Sequence, residues 1–331
     1  MSSERQLIER TRRKLPSRAG GALRIGMGDD AAVLRPEPGN RGADWVVTTD
    51  PFLEGMHFVL EVHPARAVGY KALARATSDL AAMGGVPQCF FMNLALPQKC
   101  TGRWLDGFLG GMAEAARAFG LVLAGGDTTK QPRIAINLTV LGTIAPGQAV
   151  LRSGARPGDV IFVSGRLGEA ALGLRVIQFG LHRQAKWKRL LRAHFYPQPR
   201  LALGALLAVK KLATSMIDIS DGLSTDLGNL CEASGIGARI WSEKIPKVVV
   251  PGELKKLRLD PLRLALDGGD DYELLFTVSR QVAQRLTKKL GGVPITAIGE
   301  ITRERRILLV DEAGKVRPLK ARGWDPFRDG S

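Results

Sequence analysis

The chain has 331 residues, 45% of them hydrophobic and 24% charged, which is typical of a globular protein with a large core. No apolar run is long enough to cross a bilayer, and residues 1–14 carry charges where a secretory signal needs an apolar segment. The three cysteines form no Cys-x-x-Cys pair, which argues against a disulfide scaffold or a thiolate zinc site. We therefore expect a cytoplasmic protein with reduced thiols.

The formal net charge of +16 favours polyanionic partners, such as nucleic acid, an anionic membrane or phosphorylated metabolites. A nucleic-acid binder would interleave aromatic and basic side chains on one face. Only Trp187, Phe195 and Tyr196 lie near the densest basic run, residues 175–192. We therefore expect no specific nucleic-acid partner and no membrane partner, and we interpret the basic runs as solvated faces.

The first half of the chain alternates strand and helix patterns. Apolar β-branched runs predict strands, and an Ala-rich run with a helical period predicts a long helix that ends at Gly84. In chain order the predicted elements are a strand at 45–49, a helix at 64–83, a strand at 90–96, a helix at 104–119, and strands at 121–124 and 134–144.

The pattern restarts after Pro146 and Gly147, which divides the chain into two predicted domains, residues 1–148 and 149–331. Strands alternating with helices through both halves predict an α/β (α+β) fold class. The predicted elements of the second half are strands at 160–163, 216–219, 272–278, 295–301 and 307–310, and helices at 168–179, 199–211, 223–234 and 281–290.

The most informative feature is the placement of the aspartates, which lie beside Gly, Ser or Thr at predicted strand or helix ends. Glycine lets the backbone approach a ligand closely, and hydroxyl groups add oxygen ligands. A single aspartate of this kind is equally typical of an Asx-turn or a helix N-cap. Six such segments in one chain favour a shared site; they are 28–30, 48–50, 77–79, 125–129, 218–222 and 268–271.

Converging carboxylates repel one another, because two like charges about 4 Å apart cost roughly 4 kcal/mol at an effective dielectric near 20. Such a cluster requires raised pKa values or bound cations. Oxygen-rich sites poor in histidine and thiol suit Mg²⁺ held together with phosphates. The sequence therefore predicts a magnesium site and phosphate chemistry.

Three other motif classes are not supported. The sequence contains no Gly-x-x-x-x-Gly-Lys-Ser/Thr segment, so a P-loop kinase is not expected. Residues 26–31 resemble a dinucleotide fingerprint, but they would put two carboxylates where a pyrophosphate binds. Neither a His-Glu-x-x-His metalloprotease motif nor a serine elbow is present.

Eight motifs in order resemble the thiamine-monophosphate kinase family, which belongs to the superfamily typified by aminoimidazole ribonucleotide synthetase. The resemblance extends from about Gly26 to Trp324 and implies a two-domain PurM-like architecture. It also implies ATP-dependent conversion of thiamine monophosphate to thiamine diphosphate, and a homodimer paired through the N-terminal sheets. The motifs are GMGDDAAVL (26–34), TTDPFLEGMHF (48–58), YKALA (70–74), SDLAAMG (78–84), GGDTT (125–129), RSGARPGD (152–159), DISDGLSTD (218–226) and GGDDYEL (268–274).

The resemblance also implies residue roles. Asp270 stands where glutamate is commoner in the family, and Lys71 receives no assigned role, although it could pair with a carboxylate or help hold phosphate. Because the acceptor phosphate is already nucleophilic, none of the four histidines needs to be catalytic. The implied magnesium ligands are Asp30, Thr48, Thr49, Asp50, Asp79, Asp127, Asp218 and Asp221; the ATP contacts are Gly126, Asp127, Arg152 and Ser220; the contacts to thiamine monophosphate are His57, Asp270 and Trp324.

Two related activities remain as alternatives. Selenophosphate synthetase-like members are expected to carry a reactive cysteine near the N-terminus, and no cysteine precedes Gly26. Aminoimidazole ribonucleotide synthetase shares the fold but lacks the stretch that contains His57 and Phe58. Assays of ATP with the candidate acceptors would separate these activities.

Overall fold

The structure is a computed structural model that describes Glu4, Gln6, Ile8, Glu9 and residues 22–35 and 42–327. It contains two β-sheets, one formed by each half of the chain, with helices packed against them. None of the helices in these residues has the length and apolar character needed to span a membrane.

The first sheet has six strands in the order β1-β2-β3-β6-β4-β5. Neighbouring strands pair antiparallel, except that β4 and β5 run parallel. As the last strand in this order, β5 forms one edge of the sheet. The strands are β1 (Leu23–Ile25), β2 (Ala32–Leu34), β3 (Asp44–Leu53), β4 (Val86–Leu96), β5 (Val122–Lys130) and β6 (Ala135–Ile144).

Two long helices cover one face of this sheet, α1 (Ala65–Met83) and α2 (Arg103–Phe119). They cross closely at two glycines: a Cβ on Gly69 would lie 2.0 Å from the carbonyl oxygen of Phe108, and one on Gly111 would lie 1.8 Å from that of Arg66. Gly84 ends α1 with a left-handed φ of 76°, which glycine adopts without strain. The glycine pair thus allows α1 and α2 to pack in close backbone contact.

The second sheet has eight strands, seven of them in the order β14-β13-β9-β12-β7-β10-β8, while β11 pairs with β12. The strands are β7 (Val160–Ser164), β8 (Ser215–Ile219), β9 (Gly237–Trp241), β10 (Glu273–Val278), β11 (Lys289–Leu290), β12 (Val293–Thr302), β13 (Ile307–Val310) and β14 (Val316–Pro318). The helices of this half are α3 (Glu169–Gln178), α4 (Lys188–Phe195), α5 (Leu201–Val209), α6 (Leu223–Ser234), α7 (Pro261–Asp267) and α8 (Arg280–Ala283).

One hydrophobic core joins the two halves. It contains Phe52 and Leu138 of the first sheet, Leu73 of α1, and Met216 and Phe276 of the second sheet. The α/β class and the two-sheet architecture predicted from the sequence are confirmed. The first sheet ends at β6 and the second begins at β7, while the domain boundary at residue 148 stays a prediction.

Several predicted elements differ in extent. The strand predicted at 45–49 continues through Asp50 to the end of β3, because Asp50 pairs with Leu138 of β6. The strand predicted at 121–124 likewise continues through Gly126 and Asp127, which pair with β4. In both cases neighbouring strands outweigh the local turn preference of glycine and aspartate.

The helix predicted at 281–290 is reduced to the single turn of α8. Gly291 and Gly292, with φ of 57° and 81°, form a two-residue turn between β11 and β12. A Gly-Gly hairpin requires extended backbone on both sides, so residues 289–290 cannot continue a helix.

Candidate active site

A cavity of about 1010 Å³ lies between the two halves of the chain. Its lining combines acidic and basic groups with apolar side chains, a combination suited to an organic ligand that carries phosphate. The acidic and hydroxyl residues include Thr49, Asp50, Asp79, Asp218, Ser220, Asp221 and Asp270; the apolar ones include Met56, Val59, Leu174, Ile177 and Phe179.

Three carboxylates from separate elements meet at this site. Asp30 follows β1, Asp79 lies on α1, and Asp218 lies on β8. One carboxylate oxygen from each of the three lies within 4.8 Å of the other two. The fold thus brings together acidic segments that are far apart in sequence and come from both halves.

Burial makes this cluster electrostatically costly. Desolvation, followed by the charge of Asp30, raises the pKa of Asp218 to about 7. The pKa of Asp79 is also raised well above its ordinary value, by desolvation and then by Asp218 and Asp30. Carboxylates held in this way are stabilised by a bound cation.

Asp30 gives a second indication of a ligand. One of its oxygens accepts a hydrogen bond from Arg152 at 2.8 Å. The other, Oδ2, is buried without a hydrogen-bond partner among the described residues. Three oxygen ligands with one buried, unpaired oxygen fit Mg²⁺ better than a soft metal.

The two adjacent threonines point to opposite faces of the first sheet. The Thr48 hydroxyl is buried and donates to Asp79. The Thr49 hydroxyl accepts from Asn137 at 3.2 Å and from Thr139 at 3.3 Å. Side chains alternate along a strand, so only Thr48 joins the carboxylate cluster.

Asp50 and Asp221 line the cavity but lie outside the three-carboxylate cluster. Arg75 binds both oxygens of Asp50, at 3.1 and 3.2 Å. The pKa of Asp221 is raised to about 7 by desolvation and then by Glu4. Both carboxylates are thus placed to face a ligand in the cavity.

The chain does not bring Gly126 and Asp127 to the cluster. They lie on β5, whose residues are exposed along the whole strand. Asp127 pairs with Asn93 of β4, and β6 separates β4 from β3. Three strand spacings of about 4.8 Å place Asp127 on the order of 14 Å from β3.

The other two residues matched to ATP differ in their surroundings. Ser220 lines the cavity directly after β8. Arg152 pairs with Asp30 through its side chain, and its backbone N–H donates to Asp29 at 3.1 Å. Asp30 and Asp29 thus hold Arg152 beside the carboxylate cluster.

All three residues predicted to contact the substrate line the cavity. The His57 ring stacks on Phe52, and its Nδ1 accepts from the Leu53 N–H at 2.9 Å. Burial, followed by Arg75, lowers the pKa of His57 to about 4, so it is neutral near pH 7. The backbone N–H of Trp324 donates to the backbone carbonyl of Asp221 at 3.0 Å.

Asp270 is held by groups from both halves. Lys71 of α1 donates to it at 2.7 Å, and the Tyr272 hydroxyl donates at 2.8 Å. Burial favours a raised pKa, but Lys71 and then His194 outweigh it and hold the pKa of Asp270 below its ordinary value. Asp270 is thus an ionised group on the cavity wall.

Sequence reasoning gave no role to Lys71 and did not single out Arg75, His63 or His194. His63 and His194 are buried beside Lys71, with 3.4 Å between their Nε2 atoms. The available signal was the spacing of Lys71, Arg75 and Asp79, which recur every four residues on an otherwise mostly apolar helix.

Comparisons with known proteins agree with this geometry. The family profile described as AIR synthase related protein, N-terminal domain, matches residues 28–144, and the corresponding C-terminal domain matches residues 156–312. Thiamine-monophosphate kinase of Escherichia coli O157:H7 is 38% identical over 318 residues, covering 92% of each chain. The Bacillus subtilis (strain 168) enzyme is 34% identical over 313 residues, covering 92% of this chain and 94% of its own.

A solved structure of AaThiL complexed with AMPPCP and TMP is also similar. It is 30% identical, with a TM-score of 0.84, and the match covers 98% of this chain and 97% of that one. The fold, the convergence of the acidic segments and these full-length matches agree, and the chain belongs to the thiamine-monophosphate kinases of the AIR synthase related family.

Proposed function

We propose that the chain transfers the terminal phosphoryl group of ATP to thiamine monophosphate and produces thiamine diphosphate and ADP. A phosphate oxygen of thiamine monophosphate forms a bond to the γ-phosphorus. The bond from that phosphorus to the β-phosphate oxygen breaks, and ADP leaves with the electron pair. The observation that carries this proposal is the convergence of Asp30, Asp79 and Asp218 beside a cavity formed by both halves.

Magnesium is part of the proposal. Asp30, Asp79 and Asp218 would hold it, and Asp50, Asp127, Asp221, Thr48 and Thr49 remain proposed further ligands. When bound, magnesium neutralises charge on the transferring group and aligns the attacking and leaving oxygens. The buried, unpaired Oδ2 of Asp30 and the raised pKa values of Asp79 and Asp218 support this assignment.

The cavity lining supports several substrate contacts. Ser220 borders the carboxylates and would contact ATP, while His57, Asp270 and Trp324 would contact thiamine monophosphate. Trp324 offers an indole face to the thiazolium cation, an interaction that contributes about 0.5–2 kcal/mol. Arg152 would bind nucleotide phosphate through the donors that its pair with Asp30 does not use.

No side chain needs to act as a general base. The acceptor phosphate is anionic near neutral pH and carries its own nucleophilic oxygen. His57 is neutral at that pH and already accepts a backbone hydrogen bond, which suits it to positioning the substrate.

We also propose a homodimer formed through the first sheet. The edge strand β5 exposes Val122 and Leu123, and Phe91 is exposed on its neighbour β4. Exposed apolar edge strands are ordinarily covered. A second copy would cover this edge and give Gly126 and Asp127 a place in an assembled active site. We propose a cytoplasmic location, where ATP is available.

The direct test measures ADP release in a coupled assay with thiamine monophosphate, with and without Mg²⁺, and identifies thiamine diphosphate by chromatography. We expect turnover only with both Mg²⁺ and thiamine monophosphate. Unphosphorylated thiamine is the matched control and should give no turnover, because it lacks the acceptor phosphate. Turnover with another acceptor of the superfamily, but not with thiamine monophosphate, would overturn the proposal.

A further inference from the structure

Arg75 occupies a central position that the proposed function has not used. It lies on α1 one helical turn before Asp79 and one turn after Lys71, so the three side chains project from one face of the helix. Lys71 binds Asp270 on the substrate side, and Asp79 belongs to the carboxylate cluster. Arg75 therefore lies between the substrate-binding carboxylate and the magnesium site.

The contacts of Arg75 leave part of its guanidinium group available. Its Nε and one terminal nitrogen bind Asp50, and its central carbon lies 5.1 Å from the centre of the Phe52 ring. The side chain lines the cavity and is 18% exposed. A guanidinium has five N–H donors, and the bonds to Asp50 use two of them.

The surroundings keep this cation charged. Burial opposes the charge, but Asp50, Tyr272 and Asp270 outweigh it and raise the pKa of Arg75 above its ordinary value. The three-carboxylate cluster does not include Asp50. Arg75 is thus the cation that neutralises Asp50.

On the basis of the proposed function, we propose that Arg75 is a catalytic residue that binds the phosphate groups of both substrates during transfer. Its remaining donors, which have no hydrogen-bond partner among the described residues, belong to a side chain that lines the cavity together with Asp79 and Asp270. A planar guanidinium can bind two phosphate oxygens at once, which suits it to the crowded charge of a transferring phosphoryl group. As Arg75 turns toward phosphate, Asp50 becomes free to bind a divalent cation.

This arrangement predicts that removing Arg75 lowers the rate of transfer but raises the affinity for Mg²⁺. Removing the guanidinium should slow transfer, because charge on the transferring group is no longer neutralised. It should also tighten binding of Mg²⁺ in the absence of nucleotide, because Arg75 no longer competes for Asp50 and one positive charge leaves the site. A residue that only supports the fold would not strengthen metal binding when it is removed.

The test compares wild type with Arg75→Met, Arg75→Lys and a matched control, Arg66→Met. Arg66 lies on the same helix, but its ion pair with Glu114 is exposed. Steady-state kinetics give kcat and both KM values, and calorimetric titration of Mg²⁺ into the nucleotide-free protein gives the metal affinity. Melting temperature and circular dichroism report folding.

For Arg75→Met we expect kcat to fall about 100-fold or more, while Mg²⁺ binds about fivefold more tightly. For Arg75→Lys we expect wild-type folding and a metal affinity within about twofold of wild type, but a loss in kcat of about tenfold, because lysine cannot bind two oxygens in a fork. Arg66→Met should match wild type in every measurement.

Arg75→Met turnover within threefold of wild type overturns the inference, as does lower kcat with unchanged or weaker Mg²⁺ binding. If Arg75→Met does not fold, Arg75→Lys decides, and a wild-type kcat in that variant overturns the inference. A wild-type protein inactive toward thiamine monophosphate contradicts the proposed function itself. An active wild type with an unaffected Arg75→Met contradicts only the role of Arg75.

Discussion

Two regions of the first sheet, its covered face and its edge strand β5, carry acidic motifs in opposite environments. On the covered face, the Thr48 hydroxyl donates to Asp79 of α1, and the second half of the chain adds Asp218. On the edge strand β5, Asp127 follows two glycines, as Asp270 of the cavity wall does, yet Asp127 is exposed. A Gly-Asp motif therefore does not determine whether a carboxylate is buried; the neighbouring elements do.

A single chain completes the site on the covered face, whereas covering the edge strand requires another molecule. The covered face has its carboxylates, its buried hydroxyl and its cavity within a single chain. Among the described residues no strand pairs with the outer side of β5, and its exposed apolar side chains remain to be covered. Mutations on the two faces should consequently affect metal binding, assembly and turnover in different combinations.

The largest effect should come from Asp218→Asn on the covered side. We expect turnover to fall by about 100-fold or more, because a proposed metal ligand is lost. At pH 8 the metal-free variant should melt about 2 °C or more above wild type, because a buried repulsive charge is gone. The exposed Asp106→Asn on α2 is the control. Magnesium-dependent turnover within tenfold of wild type would contradict the assignment.

A smaller loss is expected for Asp127→Asn on the exposed strand. Turnover should fall about tenfold or more if Asp127 joins the site in the assembled protein. The melting temperature should stay near that of wild type, because the side chain is exposed and accepts only the local Thr128 N–H. Kinetics and a thermal melt test both expectations. Full activity would exclude Asp127 from the magnesium site.

Leu123→Asp tests assembly directly. A charge in the centre of the proposed interface should shift a dimer toward monomer at micromolar concentration, because it would be buried without a partner. Sedimentation velocity measures the change. Leu109→Asp, which alters an exposed leucine of α2, should leave the oligomeric state unchanged. A monomeric wild type would rule out the proposed homodimer.

The buried His63 should contribute less to stability in acid, in opposition to Asp218 and Asp221, whose raised pKa values make acid favourable for them. The pKa of His63 is lowered from 6.5 to about 4 by burial and then by Lys71. At this group the unfolded chain therefore binds more protons than the folded one between these values, and the contribution of His63 to stability falls as pH decreases through this window. The complete loss of this contribution from His63 lowers the free energy of unfolding by on the order of 3 kcal/mol.

Urea unfolding at pH 7 and pH 4.5 measures this dependence. The difference in unfolding free energy between wild type and His63→Gln should decrease from pH 7 to pH 4.5, while the difference between wild type and His182→Gln, outside the buried pair, should stay constant. A constant difference for His63→Gln as well would show that other groups cause the pH dependence.

The fold and part of the site could be predicted from the sequence. The long helix, its glycine end and the order of the acidic motifs follow from local pattern, and the resemblance implied the two-domain architecture. The Asp30–Asp79–Asp218 cluster followed from the expectation that acidic turns converge. These features depend on side-chain periodicity and on motifs that are contiguous in the chain.

The remaining features depend on contacts that no local pattern contains. Thr48 and Thr49 are adjacent, yet only one reaches the cluster, because β3 continues through both and its side chains alternate. The pairs of Lys71 with Asp270 and of Arg75 with Asp50 join residues far apart in sequence. The exposure of Asp127 follows from the position of β5 at the sheet edge, which only the strand order determines.

The buried pair of Lys71 and Asp270 bears on how the cavity responds to its ligands. Lys71 is 2% exposed on a helix of the first half, and Asp270 lies in a loop of the second half with a left-handed φ of 69°. Separating the halves would break this ion pair, so the pair opposes their separation. The ion pair therefore holds the two halves together before any ligand binds. The site is thus pre-organised, and substrate binding requires little hinge motion.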